Sequence, residues 1–107
     1  MKRVFLYSFM LLFSMTAVAA KYSQMVSIQT GGKQREAFVY VPDCLTENRP
    51  LVISAHGMGD NVDNHKSLSQ WEQIADTANF VVVYPQGEGS QWDISGMKDI
   101  NFMLDII

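Results

Sequence analysis

The sequence predicts an α/β fold, and three observations carry that expectation. Two glycines separate two strand-like runs near the start, two short runs rich in β-branched residues follow, and a helical period lies between those two runs. Residues 23–29 alternate, with Val26 and Ile28 between Ser27 and Gln29, and residues 36–41 also read as a strand. Thr30-Gly31-Gly32-Lys33 joins them, and paired glycines supply the positive φ angles of a tight hairpin turn. Pro42 ends the second strand, and residues 43–49 are polar and loop-like.

Leu51 to Ala55 and Phe80 to Tyr84 are apolar almost without a break. Continuous apolar runs of this length suit burial on both faces of a parallel sheet. Between them Leu68, Trp71, Ile74, Ala75 and Ala78 recur at helical spacing, which predicts one helix with Trp71 in the core. Ser67 and Gln70 have the spacing of a capping box, and Asn79 suits the left-handed position after the last turn. Strand, helix and strand make a βαβ unit. Residues 85–96 form a glycine-containing loop. A second helical period starts near Met97, with Ile100, Met103, Leu104 and Ile107 at helical spacing and Phe102 and Ile106 making other faces apolar too, so the helix is expected to be deeply buried. Sequence 107 residues long finishing inside an apolar helix predicts an N-terminal portion, truncated at the C-terminus.

The first twenty residues have a different character. Lys2 and Arg3 precede a run from Val4 to Met15 broken only by Ser8 and Ser14, and Ala17-Val18-Ala19-Ala20 has the small-residue pattern of a cleavage site. Residues 1–20 therefore read as a signal peptide, too short for a membrane span, and the expected address is secreted or periplasmic. Residues 21–107 form one small domain portion. Of the 8 basic residues, Lys2 and Arg3 leave with the leader, so 6 face 11 acidic ones and the formal charge falls from −3 to −5. That balance argues against nucleic acid or an anionic membrane as partner. No stable membrane anchor is expected after cleavage. The lone Cys44 fits equally a buried thiol or a partner for a cysteine elsewhere.

The chemistry-bearing stretch is His56-Gly57-Met58-Gly59-Asp60, directly after the run 51–55. Glycines at the carboxyl end of a parallel strand let the chain turn sharply and leave N–H groups facing the crevice where α/β folds bind ligands. Such N–H groups stabilise an oxyanion in acyl transfer. Taken alone, these five residues fit equally a loop that only closes a strand. His65 lies in the polar segment 60–65 and is expected to be a solvated loop or helix-start residue. The spacing of its carboxylates and histidines is not that of a metal site, so no metal ligand is assigned.

The wider pattern adds to this. Arg35, Phe38-Val-Tyr-Val-Pro42, Pro50-Leu-Val-Ile-Ser-Ala-His-Gly57, Trp71-Glu-Gln-Ile-Ala-Asp76, Phe80-Val-Val-Val-Tyr-Pro-Gln-Gly87, Trp92 and Asp99-Ile-Asn-Phe102 together resemble a family of secreted esterases. These are the polyhydroxybutyrate depolymerases, feruloyl esterases and acetyl xylan esterases. The resemblance covers most of residues 34–107 and implies the N-terminal part of an α/β-hydrolase sheet, with a helix leading to the strand of the nucleophile. It implies a serine esterase working through an acyl-enzyme, without a cofactor, on feruloyl or acetyl groups of polysaccharide or on a polyester. Met58 would donate a backbone N–H to the oxyanion, Gly57 would shape that loop, and His56 would support it. The nucleophile elbow G-x-S-x-G does not occur in these residues, so the nucleophile, acid and catalytic histidine have no candidates here and the isolated chain is expected to be inactive. Trp92 is a candidate for lining the substrate cleft, weighed against packing under the loop 85–96. The reading from another class is a secreted, non-catalytic binding module with the same fold.

Overall fold

The computed structural model describes residues 22–107. The expected signal peptide, residues 1–20, lies outside them. A small mixed sheet and three helices make up the described chain. Strands β1 (Tyr22–Thr30) and β2 (Lys33–Val41) form the hairpin, followed by β3 (Leu51–Ile53), helices α1 (Val62–Ser69) and α2 (Trp71–Ala78), strand β4 (Val81–Pro85) and helix α3 (Lys98–Ile106). The sheet order is β1-β2-β4-β3. The β1–β2 and β2–β4 pairs are antiparallel and the β3–β4 pair is parallel.

The hairpin closes as its glycines require. Thr30 pairs with Lys33, and Gly31 and Gly32 hold φ of 56° and 77° between them. The sheet then divides its side chains by parity, because successive strand residues point to opposite faces. Tyr40, Val82 and Tyr84 join Val62, Ala75 and Phe80 in a core beneath α1 and α2, with Phe38, Val52 and Trp71 against it. Ala37 and Val83 join Phe102 of α3 on the other face, flanked by Val26, Ile28, Val39, Val81 and Ile106. The result is helix, sheet, helix in three layers, the arrangement that buries both faces of β4.

Three sequence expectations are corrected. The single helix of residues 67–78 is two helices, broken at Gln70, which adopts left-handed φ of 55° as both the end of α1 and the start of α2. The first helix starts earlier, at Asn61, whose side chain accepts from the Asn64 N–H, so no capping box forms at Ser67. The break turns the expected stripe: Ala75 is buried and Trp71 half-buried, while Leu68, Ile74 and Ala78 are exposed. Asn79 does take the left-handed C-cap position, at φ 65°. Arg49 adds two bonds there, to the carbonyls of Ala78 and Asn79, each at 2.6 Å.

Second, β3 is not buried on both faces. It has β4 as its only neighbour among the described residues, and Leu51 is exposed with Val52 and Ile53 half-buried. Third, α3 is buried on one side only. Asp99 and Phe102 are buried and Met103 and Ile106 half-buried, whereas Ile100, Leu104 and Ile107 of the expected stripe are exposed. An ion pair sets that rotation, as described below. Cys44 is exposed, its Sγ 3.5 Å from the Asp76 carbonyl, so the buried-thiol expectation does not hold. None of the helices among the described residues is long and apolar enough to cross a membrane.

Candidate active-site turn

Strand β3 delivers the chain to the motif. The Ser54 N–H extends its ladder to the Val83 carbonyl at 2.9 Å, and His56 to Asp60 follow at the carboxyl end of the parallel pair. The Asp60 N–H donates to the Gly57 carbonyl at 3.1 Å, closing a four-residue turn. Gly59, third in that turn, holds φ of 82°, and Met58, second, is not among the residues of positive φ. Those angles define a type II turn, which requires left-handed backbone at its third position and so explains glycine there. The Gly59 N–H is bound to the Ser90 carbonyl at 2.7 Å. The Met58 side chain is exposed, and among the described residues no group accepts from the Met58 N–H.

His56 fixes this turn from below. It is 3% exposed. Its Nε2 accepts the buried Gly87 N–H at 3.0 Å, which leaves the proton on Nδ1, and Nδ1 donates to the Gly57 carbonyl at 2.7 Å. The tautomer follows from these partners, since a ring nitrogen that accepts from an amide carries no proton. Both nitrogens are thus engaged in holding backbone. Gln86, which sequence reading quoted but gave no role, completes the lattice. Its Oε1 accepts the Val62 N–H at the start of α1 at 3.0 Å, and its Nε2 lies 3.2 Å from the Gly87 carbonyl and 3.3 Å from His56 Nε2. A polar residue at the end of an apolar strand was the available signal for it.

Trp92 closes over the same turn. Its indole N–H donates to the His56 carbonyl at 2.8 Å, its backbone N–H points to Met58 Sδ at 3.3 Å, and its ring lies 4.7 Å from the His56 ring. The side chain is half-buried. The structure therefore brings His56, Gly57, Met58 and Trp92 together. His65 is elsewhere, and of its two expected places it takes the helix start rather than the solvated loop. It lies within α1, half-buried, with Nε2 2.8 Å from Ser54 Oγ and its ring edge-on to Tyr84.

Charge is distributed so that the loops on either side are ordered by carboxylates. Asp60 accepts from the Asn64 side chain and the Asn61 N–H, both at 2.8 Å, and these bonds hold its carboxyl below the usual 3.8. Asp93 accepts from the N–H groups of Gly96 and Ser95 at 2.9 and 3.2 Å, which lowers it in the same way. Burial pushes the Tyr84 phenol above its usual 10.0. The largest charge feature was not anticipated as a unit. Arg35 on β2 and Asp99 on α3 form a buried pair at 2.8 Å, with Glu88 3.6 Å from the Arg35 Nε. Among the described residues no cluster of three or more His, Cys, Asp or Glu side chains is arranged to hold a metal ion.

The turn, its buried histidine and the strand that feeds it fall within a region shared with known proteins. No family model matches the chain. The chain is 44% identical over 78 residues to the bifunctional acetylxylan esterase/xylanase XynS20E of Neocallimastix patriciarum, covering 71% of this chain and 12% of that protein. This chain is a homologue of known esterases. It is 26% identical over 84 residues to acetylxylan esterase A of Aspergillus oryzae, covering 77% of this chain and 27% of that one. With feruloyl esterase B of Thermothelomyces thermophilus the identity is 27% over 81 residues, 74% of this chain and 28% of that one. The chain thus spans between about an eighth and about a quarter of the length of these curated relatives, and the resemblance read from its motifs is shown at the level of an esterase-like family.

Proposed function

We propose that residues 21–107 are the N-terminal part of an α/β-hydrolase domain that hydrolyses acetyl or feruloyl esters on polysaccharide, and that the turn at His56–Asp60 is its oxyanion loop. The hairpin, the βαβ unit and the following helix support that fold. The observation that carries the function is the type II turn at the carboxyl end of a parallel strand, with the amides of Gly59 and Asp60 already bonded and that of Met58 at the exposed corner. In ester hydrolysis a serine Oγ attacks the carbonyl carbon while its proton passes to a histidine. The carbonyl oxygen gains the negative charge, and a backbone donor aimed at it lowers the barrier. The tetrahedral intermediate collapses to an acyl-enzyme, the sugar oxygen leaves as an alcohol with that proton, and water releases the acid. The serine, the acid and that histidine are not assigned to residues of this chain. His56 has a supporting role, since both its nitrogens hold backbone.

Esters on polysaccharide are preferred to a polyester because the named relatives are acetylxylan and feruloyl esterases. An export signal over residues 1–20 suits such a substrate, which cannot enter a cell. The test is a graft. Residues 22–107 replace the matching segment of the Neocallimastix acetylxylan esterase, and acetate release from acetylated xylan is measured. Retained deacetylation supports the reading. A graft that folds, binds xylan and releases no acetate contradicts it and favours the non-catalytic module.

A further inference from the structure

We propose that the buried Arg35–Asp99 ion pair, on the α3 face of the sheet, is a positioning device for the His56–Met58 turn, acting through Asp93 and Trp92. The inference rests on the reading of that turn as the oxyanion loop, and it adds residues from the other layer to the site.

Trp92 is the only residue of the loop 86–96 that touches both His56 and Met58 among the bonds described above. It holds the turn by an indole N–H on the His56 carbonyl and by a ring on the His56 ring. A loop side chain can set the position of a catalytic backbone only if it is itself fixed. Within the loop 86–96, the Ser90 and Gln91 N–H groups donate to the Gly87 and Glu88 carbonyls on one side of Trp92, and the Ser95 and Gly96 N–H groups donate to the Asp93 carboxylate on the other, but these bonds tie the loop only to itself. The anchor comes one residue after Trp92, where the Asp93 N–H donates to Asp99 Oδ2 at 2.5 Å. The other carboxylate oxygen, Oδ1, lies 2.8 Å from Arg35 Nη2 in the ion pair. Asp99 therefore divides its two oxygens between the sheet and the loop.

Arg35 is suited to be the fixed point. Its side chain is 3% exposed, it donates to the Gln86 carbonyl at 3.3 Å, and its guanidinium lies 4.0 Å from the centre of the Phe102 ring. It points from the same face of β2 as Ala37, opposite the α1 and α2 layer. A planar guanidinium held by a carboxylate, a carbonyl and an aromatic face has little freedom, unlike a lysine at the same place. The Gln86 carbonyl is one residue from Gly87, whose N–H holds His56, so Arg35 braces the turn along a second, shorter route. A pair that merely stapled α3 to the sheet would need neither the bond to the Asp93 N–H nor the bond to Gln86.

The experiment uses the full chain with 15N-labelled tryptophan. Its two indole signals are separated with a Trp71→Phe variant, because Trp71 packs against Phe80 in the other layer. Asp99→Asn is expected to move the Trp92 indole signal and to raise its solvent exchange about tenfold, as a local opening would. The Trp71 signal and the far-UV spectrum are expected to stay as they are. Ile106→Ala, which loosens α3 at a residue outside the pair and its contacts, is expected to leave the Trp92 indole in place. An unmoved Trp92 indole in Asp99→Asn, or an equal movement in Ile106→Ala, overturns the proposal in favour of a simple staple. Should Asp99→Asn fail to fold, Arg35→Lys decides. It keeps the charge and is expected to move the same signal in the same direction by less, and an unmoved signal there overturns the proposal. These readouts need no ester, so failure of the esterase reading and failure of this one are separately visible.

Discussion

Replacing His56 with alanine removes the one side chain that bonds both ends of the site lattice. The Gly87 N–H is buried and loses its only acceptor described, which costs about 1–3 kcal/mol as an unsatisfied donor. The Gly57 carbonyl keeps the Asp60 N–H and is not orphaned. Loss of the ring contact with Trp92 at 4.7 Å adds about 0.5–1.5 kcal/mol. Together these give a destabilisation of about 1.5–4.5 kcal/mol, a large share of the roughly 5–15 kcal/mol that holds a native domain. The assay is urea unfolding at low chain concentration, followed by circular dichroism, with the same experiment on His56→Gln and His56→Asn. A glutamine oxygen reaches the place of Nε2 and can still accept from Gly87, whereas an asparagine amide reaches the place of Nδ1 and can bond only Gly57. His56→Gln should therefore recover more of the loss than His56→Asn. A cost below about 1 kcal/mol for alanine, the size of an ordinary exposed change, refutes the reasoning, and so does asparagine outperforming glutamine.

Further expectations follow from the same geometry. Gly87→Ala places a Cβ 2.4 Å from the Gln91 carbonyl oxygen, so the backbone must move and stability should fall by about 1–3 kcal/mol, while Gly57→Ala, which meets nothing within 4 Å, should be nearly neutral in the same melts. The lowered carboxyls of Asp60 and Asp93 bind fewer protons in the folded chain than in the unfolded one. Their contribution is present above the ordinary 3.8 and is lost as pH falls below it, so Asp60→Asn and Asp93→Asn should flatten the acid limb of melting temperature against pH. Tyr84 has the opposite sign: its raised phenol favours the folded chain below 10.0 and the advantage is lost as pH rises past that value, so Tyr84→Phe should flatten the alkaline limb. The isolated residues 21–107 should not turn over a chromogenic short-chain ester, and turnover abolished by a serine-directed inhibitor would contradict that.

Local signals in the sequence translated well into structure where the deciding contact was local. Gly31-Gly32 closes the hairpin, Asn79 ends α2, and the run Phe80 to Tyr84 supplies most of the strand Val81–Pro85, which is buried on both faces. The turn after β3 was also legible, because a glycine two residues after His-Gly leaves few other conformations. Gln70 was not, since left-handed glutamine has no sequence pattern and tertiary packing imposes it. Helix α3 shows the same limit. Apolar residues on several faces left the buried side open, and pairing Asp99 with Arg35 turned Asp99 and Phe102 inward, with Met103 and Ile106 half-buried beside them, and left Ile100, Leu104 and Ile107 exposed. That pairing joins residues 64 positions apart and leaves no local trace. The bond of His65 to Ser54, just past β3, belonged to the same class, although its place at a helix start was expected.

The central claim concerns one backbone N–H, and proline tests it most directly. Met58 is the second residue of a type II turn, where proline is favoured, and Gly57 before it tolerates the restriction proline imposes. Met58→Pro therefore removes the donor and keeps the turn, and Met58→Ala keeps both. In the acetylxylan esterase graft, Met58→Ala should stay close to the parent in kcat, and Met58→Pro should lose about 100- to 1000-fold with the fold intact, the scale of a lost oxyanion donor. A folded Met58→Pro graft with the kcat of the parent would contradict the account.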